Sequence, residues 1–387
     1  MKKKYLITGF IIILGILVLS KVSINNNKEL AVYIENELNS SIPASNENLY
    51  VNKIDCDNNV NAYWDNDNWG LFISNFSKKT KCNLYFIHDN EKPYWQIEEV
   101  EKTSVLSTDI FTIKISGNDS LSKVTSSLDT SSLSFYVNDT LQSPIKVELT
   151  KLEELNKKIT YSLKVHMVGG QGNLKLKINS NTLTDNETNQ NDEITLDTGI
   201  TVNKNPLKIL HYYNGGFSTK EEALYYGLIN KYYSNITYTQ SYSLAEILQG
   251  GFDVIVFDDF GWAVPSVANE AFDSGINIVS VGNDSSSDLS IIDTYVVSKG
   301  IGTSTKQINN SLTNYLPNEL SGDNDGQTLI HFTNGATVLY KNTTNDNIYD
   351  SIGYLTKNDK TWFHAQLITN SEAYIIQAIQ FVVNQLK

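Results

Sequence analysis

The chain has 387 residues and a formal net charge of −13, and every one of its 30 basic residues is lysine. A nucleic-acid binder needs a basic face, and arginine is the usual bidentate reader of phosphate and guanine, so the composition argues against nucleic acid as a partner. The length allows two ordinary domains in addition to short N-terminal segments.

The first segment, residues 1–21, has the charge pattern of a membrane anchor. Lys2, Lys3 and Lys4 precede the uncharged run 5–20, and Lys21 closes it. The run would span roughly 24 Å as a helix, slightly short of the hydrocarbon core, and snorkelling lysines can cover the deficit. We expect a cytoplasmic tip and a single-pass anchor, with the membrane as partner and the bulk of the chain extracellular. A cleaved signal peptide is the alternative, and it also exports the rest.

Residues 22–48 begin with a polar stretch and continue with a short amphipathic pattern. The apolar residues Leu30, Ile34 and Leu38 recur at helical spacing, and Pro43 follows them. The pattern predicts a stalk helix that ends before the proline.

Residues 49–100 contain the only two cysteines of the chain, Cys56 and Cys82, among strand-like segments. Outside the cytosol two cysteines can form a lasting disulfide, and a β module this small needs such a covalent link. We therefore predict a disulfide-stapled β module. A metal pair or free thiols are the alternatives, although His88 stands alone and cannot complete a zinc set.

Residues 101–203 hold six strand-like segments spaced about a turn apart. The segments "KITYSLKVHM" and "NLKLKI" alternate apolar and polar residues, which indicates one buried and one exposed face. This pattern predicts an antiparallel β-sandwich.

Residues 204–387 alternate short apolar strands with helical patterns, which predicts a parallel sheet with helices on both faces. Asp258 and Asp259 end the strand "DVIVFDD", and Trp262 and Asn283 lie near the same predicted edge. Open α/β sheets bind ligands at the carboxyl ends of their strands, so these four residues are the predicted ligand-binding set. The alternative is a solvated loop cap beside a packing tryptophan.

Two groups of residues offer the ligand types of a metal site, and each has a plainer explanation. His211, His331 and His364 could bind zinc together, or could be three separate polar residues. Asp185, Asn189 and Asp192 offer calcium-type oxygens but lack the spacing of a known loop. We expect no metal and no cofactor.

The predicted sandwich resembles a bacterial immunoglobulin-like repeat from Gram-positive surface proteins. The resemblance rests on "FTIKISGNDS" and on "GNLKLKINSNTLTDNETNQNDEITLDTGITV", in which Thr188 stands where glycine is typical. The cysteine module is also similar to a juxtamembrane segment of such proteins.

The C-terminal region resembles the class I glutamine amidotransferase-like superfamily in its order of elements, from "FDVIVFDD" to "IIQAIQFVVNQL". Catalytic members carry a cysteine at a sharp elbow, activated by a histidine that a carboxylate orients. The resemblance sets Gly282 at the elbow, His364 as the weak candidate base and Gln366 in place of the acid. A serine among residues 285–287 could serve as nucleophile, but nothing in the sequence brings one to His364.

The predicted fold is therefore multidomain: an N-terminal transmembrane helix, a disulfide-stapled β module, an Ig-like β-sandwich, and a flavodoxin-like α/β domain of the amidotransferase-like type. We predict a non-catalytic cell-surface protein that presents the α/β domain to a glycan, peptide or protein ligand. An extracellular hydrolase or carbohydrate-modifying enzyme that uses the carboxyl-edge cleft is the alternative, and a purely structural envelope component is the third.

Overall fold

The computed structural model describes residues 21–24, 29–33, 49–56, 61–65, 70–74, 82–213, 215–258, 265–282, 289–297, 303–309, 312–313, 316–321, 323–324, 328–344, 347–368 and 372–383. Within these residues the structure is mostly β-sheet.

Six strands precede the sandwich: β1 Lys21–Ile24, β2 Glu29–Tyr33, β3 Leu49–Cys56, β4 Asn61–Asp65, β5 Gly70–Ser74 and β6 Cys82–His88. Strands β1, β2, β5 and β4 form an antiparallel sheet in that order, and β3 and β6 form a separate antiparallel pair. The predicted stalk helix is wrong at residues 29–33. Leu30 and Val32 also alternate with the period of a strand, and β5 supplies the backbone hydrogen bonds that an isolated helix would make internally.

The disulfide-stapled module is a second correction. Cys56 and Cys82 are register partners on β3 and β6, but the structure shows no disulfide bond in the part of the chain that it describes. The backbone ladder of β3 and β6 by itself brings these two positions opposite each other. The two cysteine side chains themselves lie outside the described residues.

The membrane anchor is a third correction. No helix within the described ranges is long and apolar enough to cross a membrane. The predicted membrane partner and single-pass location are therefore not supported. Residues 1–20, which carry the apolar run, lie outside the described residues.

The next region consists of eleven strands and one short 3-10 turn: β7 Tyr94–Val100, β8 Ser104–Leu106, β9 Ile110–Asn118, β10 Val124–Ser126, the turn Thr130–Ser132, β11 Leu133–Val137, β12 Thr140–Gln142, β13 Lys146–Leu155, β14 Lys158–His166, β15 Gly172–Ile178, β16 Leu183–Asp185 and β17 Ile194–Asn203. One sheet has the order β12-β11-β15-β17-β8 and the other β13-β14-β9-β7, while β10 pairs with β16. Both main sheets bury their apolar faces in one core around Trp95, Ile113 and Leu176. The pair β8–β17 is parallel and the other pairs are antiparallel.

The described part of the C-terminal region contains four helices, a 3-10 turn and thirteen strands. They are β18 Asn205–Tyr213, the turn Lys220–Glu222, α1 Tyr226–Tyr232, β19 Tyr233–Thr239, α2 Leu244–Gly250, β20 Val254–Asp258, α3 Pro265–Asp273, β21 Asn277–Val281, β22 Ile292–Val297, β23 Thr303–Lys306, β24 Glu319–Ser321, β25 Asp323–Asn324, β26 Thr328–Phe332, β27 Thr337–Thr344, β28 Asn347–Lys357, β29 Lys360–Ala365, β30 Leu367–Ile368 and α4 Glu372–Val382. The large sheet has eleven strands, in the order β19-β18-β20-β21-β29-β28-β27-β23-β24, with β26 joining β22 to β28.

The expected flavodoxin-like arrangement is wrong for this sheet. Only β19, β18, β20, β21 and β29 run parallel, and the remaining strands pair antiparallel. The hairpin β28–β29 shows the reason, because Asn358 and Asp359 at its tip have φ of 52° and 59°. Two such residues form the tight turn that matches strand twist, so the chain returns directly without a helical crossover.

The five parallel strands have helices on both faces. One face packs with α1 and α4 in a core that includes Ile229, Val256 and Ile379. The other packs with α2 and α3 in a core that includes Phe272 and Trp362. The direction of each side chain along a strand therefore decides which of two separate cores it enters.

Candidate functional site

The most unusual polar contact in this region is a buried histidine–aspartate pair. His211 lies on β18, and Asp258 ends the adjacent parallel strand β20. His211 Nε2 is 2.9 Å from Asp258 Oδ2, and both side chains are fully buried. The backbone N–H of Tyr225 donates to the same Oδ2 at 2.9 Å. The aspartate is therefore held by two donors at the carboxyl edge of the sheet.

Three polar atoms of this site have no hydrogen-bond partner among the residues that the structure describes. They are His211 Nδ1, Asp258 Oδ1 and the hydroxyl of Tyr238, and all three are buried. Tyr238 is the register neighbour of His211 on β19, and their ring centroids are 5.3 Å apart. A buried polar atom without a partner costs about 1–3 kcal/mol, so a polar group that reached these atoms would offset that cost.

A lysine lies beside this cluster. Lys220 Nζ is 5.2 Å from the ring centroid of Tyr238 and 5.9 Å from that of Tyr226. Burial raises the pKa of Tyr238, and the nearby Tyr226 and Glu221 raise it further. The Tyr238 hydroxyl therefore remains protonated and can donate a hydrogen bond.

Asp258 is the only residue of the predicted ligand-binding set that the structure describes. Asp259, Trp262 and Asn283 lie outside the described residues, as do Ser285, Ser286 and Ser287. Their contribution to the carboxyl edge stays a prediction.

His364, the weak catalytic candidate, belongs to a different polar network. Its Nδ1 is 2.8 Å from Ser280 Oγ, and its Nε2 is 3.2 Å from Gln366 Oε1. Trp362 Nε1 donates to the same serine oxygen at 2.7 Å. A neutral imidazole protonated on Nε2 donates to Gln366 and accepts from Ser280, so it satisfies both contacts of the ring. Burial lowers the His364 pKa to about 4, although the contact with Gln366 raises it slightly.

This network has the residue types of a serine–histidine site, but its polar contacts are already made within the core. Ser280 and His364 are both fully buried, and the Phe332 ring packs against the imidazole with centroids 6.1 Å apart. Because its polar atoms are paired with one another, the network stabilises the core between β21 and β29.

Asp258 and His364 do not meet, because they lie on opposite faces of the sheet. Asp258 is the register partner of Val281, which enters the core with α1 and α4, whereas His364 is the partner of Ser280 one residue earlier. The three histidines also do not converge. His331 is 46% exposed, with Nδ1 3.8 Å from Asp350 Oδ2, and His211 faces away from His364.

Gly282 follows β21 with φ of 65°, and its N–H donates to the carbonyl of Ala365 at 2.8 Å. A positive φ is the backbone that glycine adopts at little steric cost. The residue supplies a sharp turn and no reactive atom.

Sequence reasoning missed Tyr238 and Ser280. Ser280 had a signal, because it is the one hydroxyl residue within the apolar strand Asn277–Val281, and a polar residue in a buried strand needs a partner. Tyr238 lies in "ITYTQSY", where nothing in the sequence distinguishes it from the tyrosines around it.

Comparison with solved structures gives weak likenesses, three of which follow. No family model and no curated protein matches the chain. A Thermoplasma acidophilum protein, described as one of the subunits of GMP synthase, is 14% identical, with a TM-score of 0.37, over 47% of this chain and 96% of its own. A Thermotoga maritima glutamine amidotransferase is 10% identical, with a TM-score of 0.31, over 42% and 76%.

The third structure, the mmIFT52 N-terminal domain, is 10% identical, with a TM-score of 0.31, over 46% of this chain and 97% of its own. The first two likenesses are to glutamine amidotransferase-like structures, the superfamily that the C-terminal sequence resembles. At these TM-scores they carry no argument about fold or activity. The resemblance to Gram-positive surface proteins and to an Ig-like repeat stays a prediction.

Proposed function

We propose that this is a non-catalytic binding protein whose C-terminal region takes a small polar ligand beside His211, Tyr238 and Asp258. The observation that carries the proposal is the set of three buried, unpartnered polar atoms around one buried histidine–aspartate contact.

The chemistry of the three atoms limits the ligand. The Tyr238 hydroxyl donates a hydrogen bond and Asp258 Oδ1 accepts one. His211 Nδ1 donates or accepts according to the tautomer of the imidazole. A compound with both a donor and an acceptor within a few ångströms, such as a hydroxyl, amide or amino-acid group, would satisfy them together. Lys220 near the Tyr238 ring adds a positive charge that favours a ligand with some negative character.

Replacing Tyr238 by phenylalanine tests the proposal because it removes only the unpartnered hydroxyl. The matched control is Tyr340→Phe, since the Tyr340 hydroxyl donates to the Pro317 carbonyl at 2.7 Å. Without ligand, Tyr238→Phe should leave the free energy of unfolding unchanged or higher, and Tyr340→Phe should lower it by about 1 kcal/mol. Chemical denaturation of the full chain measures both.

Binding is then screened by thermal unfolding with free amino acids, monosaccharides and nucleosides as probes. At least one probe should raise the Tm of the wild type and of Tyr340→Phe but not of Tyr238→Phe. If no probe raises the wild-type Tm, or if Tyr238→Phe responds equally, the proposed site is wrong.

A hydrolytic function is the second candidate, and the His211–Asp258 contact favours it. A carboxylate on one imidazole nitrogen is the arrangement that orients a general base. Turnover of a probe that is lost in His211→Gln would replace the binding proposal with this one.

A further inference from the structure

Three buried aspartates meet beside the sandwich. Asp89 directly follows β6, Asp119 directly follows β9, and Asp185 ends β16. Their side chains are among the buried polar groups, and one carboxylate oxygen from each lies within 4.8 Å of the other two. Within the described part of the chain, this is the one group of His, Cys, Asp and Glu residues with such spacing.

Neutral donors orient the three carboxylates. Asp89 Oδ1 accepts from the backbone of Glu91 at 3.0 Å, and Asp119 Oδ1 accepts from the backbone of Leu121 at 2.7 Å. Asp185 accepts from both the backbone and the side chain of Asn189, at 2.7 and 2.8 Å. Asn189 Nδ2 also donates to the carbonyl of Asp89 at 2.9 Å, which ties two of the aspartates together.

No positive charge balances the cluster within the described residues. None of the ion pairs found there includes any of the three aspartates. Three carboxylates this close repel one another, and a buried charge without a counter-charge is costly.

One oxygen of the cluster also lacks a hydrogen bond. Asp119 is 7% exposed, and within the described residues its Oδ2 is buried without a partner, although its Oδ1 accepts two backbone N–H groups. The unpartnered oxygen is a second feature, separate from the clustering of charge, that a cation would satisfy.

We propose that Asp89, Asp119 and Asp185 bind one Ca²⁺ ion. Calcium–oxygen bonds measure about 2.3–2.6 Å, so two ligands of one ion lie up to about 5 Å apart, and the three carboxylate oxygens all lie within 4.8 Å of one another. The set contains no histidine or cysteine, which disfavours zinc. Magnesium usually retains several waters, whereas three buried carboxylates suit an ion that takes most ligands from the protein.

The site differs from the calcium set considered in the sequence. Asp185 belongs to both, but Asn189 contributes its amide N–H₂ group to the aspartates. Asp192 instead forms an exposed ion pair with Lys92 at 2.6 Å. The other two ligands come from 96 and 66 residues earlier in the chain, at Asp89 and Asp119, so only folding brings them together. An ion here would join the ends of β6, β9 and β16.

Calorimetric titration of the full, chelator-treated chain with Ca²⁺ tests the proposal. The wild type should bind one ion per chain and gain Tm. Asp119→Asn, which keeps the shape of the side chain, should weaken binding at least about tenfold because one ligand charge is lost. Asp192→Asn is the matched control and should bind like the wild type. A parallel titration with Mg²⁺ should be weaker.

The absence of Ca²⁺ binding by the wild type at millimolar concentration would overturn the proposal, as would equal affinity in Asp119→Asn. If Asp119→Asn does not fold, a crystal of the wild type grown with Ca²⁺ decides the question. An ion bonded to Asp89, Asp119 and Asp185 supports the site, and an ion held elsewhere or no ion refutes it.

Discussion

At the residue scale, burial keeps His364 of the large sheet neutral. His331 of the same sheet is exposed, whereas His364 is fully buried. His364 makes hydrogen bonds to Ser280 and Gln366 that a neutral ring satisfies, so protonation would place an uncompensated charge in the apolar core beside Phe332.

This difference predicts a pH dependence of stability. The pKa of His364 is about 4 in the folded chain and ordinarily 6.5, so the unfolded state binds the proton first as the pH falls. The contribution is fully present above pH 6.5 and is lost between pH 6.5 and 4, with a size of about 3 kcal/mol. The free energy of unfolding, measured by denaturant titration across this range, should fall accordingly.

The controls for this pH dependence are two substitutions. His364→Gln should remove most of the fall, while His331→Gln should leave it in place. A smaller fall remains in His364→Gln because burial also lowers the pKa of His166. Equal pH profiles for the wild type and His364→Gln would contradict the assignment.

At the element scale, two glycines differ in the space that is available for a side chain. Gly227 lies in α1, and a Cβ there would meet nothing within 4 Å. Gly353 lies in β28, and a Cβ there would come within 2.7 Å of the Thr337 carbonyl and 2.6 Å of the Phe332 ring. Gly227 is exposed and has room for a side chain, whereas at Gly353 the backbone of β28 lies too close to its neighbours for one.

Alanine substitution should therefore change stability in opposite directions. Gly227→Ala should raise the free energy of unfolding by about 0.5–1 kcal/mol, because alanine costs less backbone entropy in a helix. Gly353→Ala should lower it by about 1–3 kcal/mol, because the Thr337 backbone must move. Chemical denaturation of both variants checks this, and a neutral Gly353→Ala would show that β28 packs more loosely against its neighbours.

At the scale of the whole molecule, the described part of the chain has three apolar cores. One lies within the sandwich, and two lie on opposite faces of the large sheet. The sheet therefore separates Asp258 from His364.

The whole chain should release no ammonia from glutamine. Its only cysteines are Cys56 and Cys82, and the elbow position carries Gly282, which has no side chain to attack an amide. A coupled ammonia assay on the full chain should give the same background for the wild type and His364→Ala. Turnover that depends on His364 would show that a serine among residues 285–287 acts as the nucleophile.

The local pattern of the sequence located most strands of the sandwich and the alternation that opens the C-terminal region. It also marked Asp258 as the end of a buried strand. These features depend on apolar periodicity and on turn residues only a few positions apart. Both can therefore be read from a short stretch of sequence without knowing the fold. The same local reasoning placed a helix at residues 29–33 and expected helices between the later strands, because it could not see the strands that pair with them.

The tertiary structure alone decided which polar residues meet. Asp89, Asp119 and Asp185 are brought together by three different strand ends, and His211, Tyr238 and Asp258 by the register of three parallel strands. A one-residue difference in register sent Asp258 and His364 to opposite faces of one sheet. Side chains alternate along every strand, so the pairing register determined which residues share a face with His211 and which with His364. The sequence does not state that register.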